Sequence, residues 1–299
     1  MAQQKKKVFK GERTAATLCI IVGLIGFLFV MWTRYRIVYT AVIAGVAVAS
    51  CFEVLRAVGA KNKILYGISM AVSAFIPFMF SYHLSLPFSV LLSAYVLLVL
   101  FLMVAMNKNT KFVDVLTAFY SSLWLPYCYS CFIFIRDMHL SNPDTYTKWD
   151  AYCLLMLVFA CSWAPDSLAY LCGKRFGKHK LAPVISPKKS VEGAVGGVVL
   201  CGILVVPILF VYNLIISKTL GTPVFASLGY WKYPIVSLMV AVLSVVSIFG
   251  DLTCSVIKRN FGIKDYGKSL GSHGGFMDRF DSCLFVLPAY YALLSVINM

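Results

Sequence analysis

Four aspartates stand close together near one end of the sequence: Asp251, Asp265, Asp278 and Asp281. They alternate with Lys258, Arg259, Lys264, Lys268 and Arg279, and His273 precedes the glycine pair Gly274-Gly275. Carboxylates are hard oxygen ligands suited to a divalent cation, and Lys and Arg suit phosphate oxygens. If the helix entering Asp251 continues, Asp251, Ser255, Lys258 and Arg259 fall on one face. Asp278 and Asp281, three apart, share a face at the start of the next helix. Acidic residues at a helix N-terminus are explained by the helix dipole alone. The dipole does not explain Asp251, which arrives from the preceding helix. Aspartates from two helix ends make a Mg²⁺ site, with Asp251 and Asp278 as main ligands and Asp281 beside them. Five glycines between Gly262 and Gly275 let backbone N–H groups approach a ligand closely.

Further upstream, Asp166 interrupts the apolar run Ala151 to Cys172. A charge at a helix centre costs roughly 2.5–3.5 kcal/mol, so this carboxyl needs a partner, a metal or a wet cavity. A basic stretch follows, with Gly173 and Gly177 expected in tight turns. It closes with Ser186-Pro187-Lys188-Lys189-Ser190 and Glu192-Gly193 at the mouth of another apolar run. Hydroxyls, paired lysines and a helix N-terminus together suit an anion.

The elements that must position these groups are membrane spans. Sixty per cent of the residues are hydrophobic, 13% are charged, and the mean hydropathy is +0.83. This composition lies outside the soluble range. A span needs roughly 20 apolar residues. About nine candidates result: Ala15 to Trp32, Ile37 to Leu55, Ile64 to Tyr82, Pro87 to Met106, Phe112 to Ile135, Ala151 to Cys172, Ala194 to Ile216, Tyr233 to Gly250 and Ser282 to Ile297. The expected fold is an all-α polytopic membrane protein. Residues 1–150 would form a scaffold of about five spans and residues 151–299 a catalytic region of about four, within one membrane domain.

The net charge of +15 does not point to nucleic acid, because no aromatic-basic module accompanies it. The cations instead sort by side. With the N-terminus inside, the outer loops hold only Arg34, Arg36, Arg136, Lys148, Lys218 and Lys232 of the 27 Lys and Arg. Both long basic loops then face the cytoplasm. The first apolar run has no small-residue cleavage site and reads as a span rather than a removed signal. Cys128 and Cys131 form a C-x-x-C without a second pair, which reads as packing rather than zinc. Glu53, three residues before Arg56, reads as half of an interfacial ion pair.

The run Ser255, Lys258, Arg259, Lys264, Asp265, Gly267, then Leu270, His273, Gly274, Gly275, Asp278, Arg279 and Asp281, resembles the signature of the phosphatidate cytidylyltransferases, or CDP-diacylglycerol synthases. Asp166, Ala169 and Tyr170, and the run Ser186 to Gly193, are similar to further motifs of that family. The first 150 residues match only as a hydrophobic multi-span region. The resemblance implies that CTP and phosphatidate give CDP-diacylglycerol and pyrophosphate, with Mg²⁺ and room for a second cation. It implies catalytic roles for Asp251, Asp278, Lys258, Arg259 and Arg279, and metal ligation by Asp251, Asp278 and Asp281. Lys188, Lys189, Ser190, Ser255, Lys264, His273 and Asp166 would line the substrate site. A homodimer in a bacterial-type cell membrane is expected, taking phosphatidate from the inner leaflet, with the N-terminus and the site facing the cytoplasm. The alternatives are a related CTP-dependent lipid enzyme (a polyprenol kinase or CDP-archaeol synthase) and an anion or nucleotide transporter.

Overall fold

The computed structural model describes residues 35–83, 88–267, 269–270 and 274–297. The expected first span and His273 lie outside the described residues, as does Lys268. Every expected span after the first corresponds to helix. These helices are α1 (Arg36–Val58), α2 (Lys63–Tyr82), α3 (Phe88–Ala105), α4 (Phe112–Phe119), α5 (Leu125–Ser141), α6 (Lys148–Phe176), α7 (Val191–Leu220), α8 (Lys232–Asn260), α9 (Met277–Phe280) and α10 (Cys283–Ile297). A π-helical turn, Tyr120–Trp124, joins α4 to α5 just before Pro126, which brings no N–H to the ladder. Six segments of the described chain are long and apolar enough to cross a membrane; α3 and α10 are shorter apolar helices. The chain is a multi-pass, all-α membrane protein.

Two compact units form. One contains the described residues up to Ile133 together with Phe261–Phe280; the other contains Phe134–Asn260 and Asp281 onward. In the first unit, hydroxyl pairs tie the apolar helices together: Thr40 to Ser81 at 2.8 Å, Ser50 to Tyr129 at 2.9 Å, and Tyr95 to Ser122 at 2.5 Å. Hydrogen bonds are useful here because lipid tails give apolar helices no hydrophobic reason to associate. Around these pairs Cys51, Leu55, Leu65, Val99 and Ala118 form a buried cluster.

In the second unit α6, α7, α8 and α10 pack together, and glycine sets the closest approach. An added Cβ at Gly193 of α7 would stand 2.6 Å from the Ala169 carbonyl of α6. At Gly197 it would stand 2.8 Å from the Pro165 carbonyl, and at Gly250 of α8 2.8 Å from the Phe285 ring. Small residues spaced four apart allow this backbone approach.

Two findings correct the sequence reading. Gly173 and Gly177 do not make tight turns. Helix α6 runs through Gly173 to Phe176, and Gly177 caps it in an extended conformation. They are small because Ser190 sits against both, 2.7 Å from an ideal Cβ at either position. The basic loop is also not bare coil. It folds into an antiparallel hairpin of β1 (Lys180–Ala182) and β2 (Ser186–Ser190), with Lys180 opposite Ser190.

Candidate active site

Lys189, at the end of β2, is the centre of the site in the second unit. Its Nζ lies 2.8 Å from Asp166 Oδ1 on α6 and 2.6 Å from Asp251 Oδ2 on α8. Three residues singled out in three separate motifs thus meet at one ammonium group. Asp166 finds here the partner its position demanded. Several contacts bring Lys189 in. Ser190 caps α7 by accepting from Gly193 N–H at 3.2 Å. Glu192 accepts from the N–H groups of Lys178 and His179 and meets His179 Nδ1 at 2.6 Å. The hairpin is therefore stitched to the first turn of α7. Burial opposes the Lys189 charge, yet the two carboxylates outweigh it and hold the group above the usual lysine range.

One helical turn beyond Asp251, Ser255 is half-buried on α8. The helix continues to Asn260 as expected, but the face divides. Lys258 is buried and reaches Asp281 at 3.7 Å, whereas Arg259 is exposed. Burial, with Asp251 nearby as a like charge, pushes the Asp281 carboxyl up to about 7 against the pull of Lys258. The cluster of Asp166, Lys189, Asp251, Lys258 and Asp281 carries one more carboxylate than ammonium. Retaining a proton on Asp281 relieves that excess.

A hard divalent cation would relieve it in another way. Asp166 and Asp251 already converge on one cationic centre, and Mg²⁺ is commonly held by one or two carboxylates together with substrate phosphates. That fits the donor set. Among the described residues no group of three or more His, Cys, Asp or Glu surrounds a single point.

The first unit holds the other half of the signature. Asp278 is 8% exposed, and its Oδ2 accepts from Tyr266 N–H at 2.8 Å and Gly275 N–H at 3.1 Å. Lys264 and Arg279 are exposed in this loop, as is Lys188 on the hairpin. The loop glycines bring backbone close to carboxylates of the chain itself. Gly274, at φ +84°, faces Asp278, while Gly267 and Gly275 lie against Glu53. The sequence reading gave Glu53 to Arg56. Instead Glu53 is 3% exposed and its carboxylate receives Ser269 Oγ and Met277 N–H. The rule that flagged Asp166, an acid inside an apolar span, applies equally to Glu53.

The model of the cytidylyltransferase family matches residues 12–297. The chain belongs to the cytidylyltransferase family. Among similar members is the phosphatidate cytidylyltransferase of Bacillus subtilis, 30% identical over the whole of both chains. That of Staphylococcus haemolyticus is 40% identical over 148 residues, 50% of this chain and 51% of the relative. That of Thermotoga maritima is 34% identical over 143 residues, 48% of this chain and 49% of the relative.

Proposed function

We infer that this cytidylyltransferase acts on phosphatidate. It joins CTP and phosphatidate to give CDP-diacylglycerol and pyrophosphate for phospholipid synthesis. The observation that carries the reading is Lys189 held between Asp166 and Asp251. It unites two motifs of the resemblance with Asp251, one helical turn before the signature run, at one point. Full-length similarity to a protein bearing that name supports it.

In the reaction a phosphate oxygen of phosphatidate attacks the α-phosphorus of CTP. The bond from that phosphorus to the bridging oxygen of the β-phosphate breaks, and pyrophosphate leaves. No covalent enzyme intermediate is required, so positioning and charge neutralisation supply the rate. Lys189 offers an ammonium group already fixed in place, Lys188 offers an exposed cation next to it in the chain, and Lys264 offers an exposed cation in the first unit. Arg259 and Arg279 have the geometry to grip phosphate in pairs of hydrogen bonds. A cavity of about 450 Å³ between α6 and α7, lined by Leu157, Ala160, Ala164, Leu204 and Ile208, offers apolar room for a lipid chain.

Magnesium is the cofactor we assign. Asp251 and Asp166 of the second unit, with Asp281 nearby, would hold it, and it would supply charge neutralisation of the triphosphate, while the resemblance gives Asp278 a catalytic role of its own. The distribution of Lys and Arg supports a cytoplasmic site, which would draw phosphatidate from the inner leaflet; the assembly we expect is a homodimer in a bacterial cell membrane. The test is purified protein with CTP, Mg²⁺ and phosphatidate, following pyrophosphate. Steady release that stops in Asp251→Asn and Asp278→Asn is expected. No release from the wild type, or full activity in Asp278→Asn, would overturn the assignment.

A further inference from the structure

Glu53 lies on α1, far in sequence from every residue given a role above. A carboxylate at 3% exposure within an apolar span is retained where specific donors satisfy it. Both of its described donors come from one loop. Oε1 accepts from the Ser269 hydroxyl, and Oε2 accepts from the Met277 N–H at 3.0 Å. The loop backbone closes on the carboxylate at two glycines. An ideal Cβ would stand 2.2 Å from Oε2 at Gly275 and 2.6 Å from Oε1 at Gly267. Neither position accepts a side chain while Glu53 stays where it is.

The residue after Met277 is Asp278, and it holds the same loop. Its Oδ2 accepts from Tyr266 and Gly275 N–H groups. Beyond it, Phe280 meets the Tyr129 ring edge-on at 5.7 Å, and the Tyr129 hydroxyl pairs with Ser50, one turn before Glu53 on α1. Helix α1 thus grips the signature loop at Ser269, Met277 and, through Tyr129, Phe280.

We propose that Glu53 is a positioning residue for Asp278: by fixing Met277 N–H it sets the backbone from which the Asp278 carboxylate projects. The proposal rests on the role given to Asp278 above. An ångström of misplacement in such a group can cost about 100-fold in rate. Without Glu53, the buried Met277 N–H would lose its acceptor, a loss that backbone groups avoid by moving.

The test compares Glu53→Ala, Glu53→Gln and Ser269→Ala in the same detergent. A glutamine carbonyl can accept from Met277 N–H while its amide donates to the Ser269 hydroxyl. Glu53→Gln should therefore recover most of what Glu53→Ala loses. For Glu53→Ala, kcat should fall about 100-fold with KM for CTP changed less than threefold, as expected when positioning rather than binding is lost. Hydrogen–deuterium exchange gives a readout independent of turnover. Residues 266–278 should exchange at least tenfold faster in Glu53→Ala, near the wild-type rate in Glu53→Gln, and α6 to α8 should be unchanged. Wild-type kcat and exchange in Glu53→Ala would overturn the proposal, as would faster exchange across every helix. If Glu53→Ala cannot be recovered, Ser269→Ala decides: faster exchange confined to 266–278 supports the clamp, and none overturns it. An inactive wild type with the same confined exchange would reject the functional reading while leaving the grip of Glu53 on this loop intact.

Discussion

Lys189 Nζ stands 2.6 Å from Asp251 Oδ2, although 62 positions separate the two residues in sequence. The same ammonium holds Asp166, so its removal leaves two carboxylates facing each other. Removing one partner of a buried ion pair costs about 3–5 kcal/mol. The Lys189 side chain is 22% exposed, so Lys189→Ala should cost less, about 2–3 kcal/mol. Thermal unfolding in detergent measures this. Cytidylyl transfer should fall at least 100-fold, and Lys189→Arg should restore stability better than turnover, because a planar fork replaces a point charge.

Asp281 gives the protein a stability that changes near neutral pH. Its carboxyl titrates near 7 when folded, against about 3.9 in an unfolded chain. Between those values the folded state binds more protons, so stability falls as pH rises from about 4 through 7 and then levels off. Melting temperature without added divalent cation should therefore drop between pH 5 and 8. Asp281→Asn should flatten that slope. An unchanged slope in the variant would place the effect elsewhere.

The glycine contacts between α6 and α7 predict a sharp dependence on a single carbon. Gly193→Ala would press a methyl group against the Ala169 carbonyl, a backbone atom that cannot rotate away. Overpacking of this kind costs about 1–3 kcal/mol. Gly221→Ala tests something different, since the added carbon meets nothing within 4 Å but φ is +73°. Gly193→Ala should reduce turnover through Lys189 as well as stability; Gly221→Ala should reduce stability alone.

The charge distribution predicts which side each loop faces. Cysteines introduced at Lys180 and at Asn142 should react with an impermeant reagent from opposite sides of sealed vesicles. Reaction of both from one side would break the assigned orientation.

Hydropathy made the spans legible, because lipid demands apolar runs of fixed length and little else. The end of α8 was legible too, since the spacing of Asp251, Ser255 and Lys258 has meaning only on a helix. The meeting of Asp166, Lys189 and Asp251 was not. Each residue stood out by type, but their convergence depends on how closely Gly193, Gly197 and Gly250 let α6, α7, α8 and α10 approach. Glu53 was misread for a related reason. Sequence offers the neighbour three residues away, Arg56, whereas the donors that hold Glu53 lie more than two hundred residues further on. The hairpin of β1 and β2 was hidden because strands of 3 and 5 residues, one containing Pro187, show no alternating pattern.

The separation of Glu53 from its donors also has a consequence in time. Ser269 and Met277 are made 216 and 224 residues after Glu53. At about 5–20 residues per second, this leaves the acid in its span for roughly 10–45 s before either donor exists. Each nascent molecule therefore passes through a stage in which α1 holds a carboxylate without these two donors. A chain cut short before Ser269 never leaves that stage.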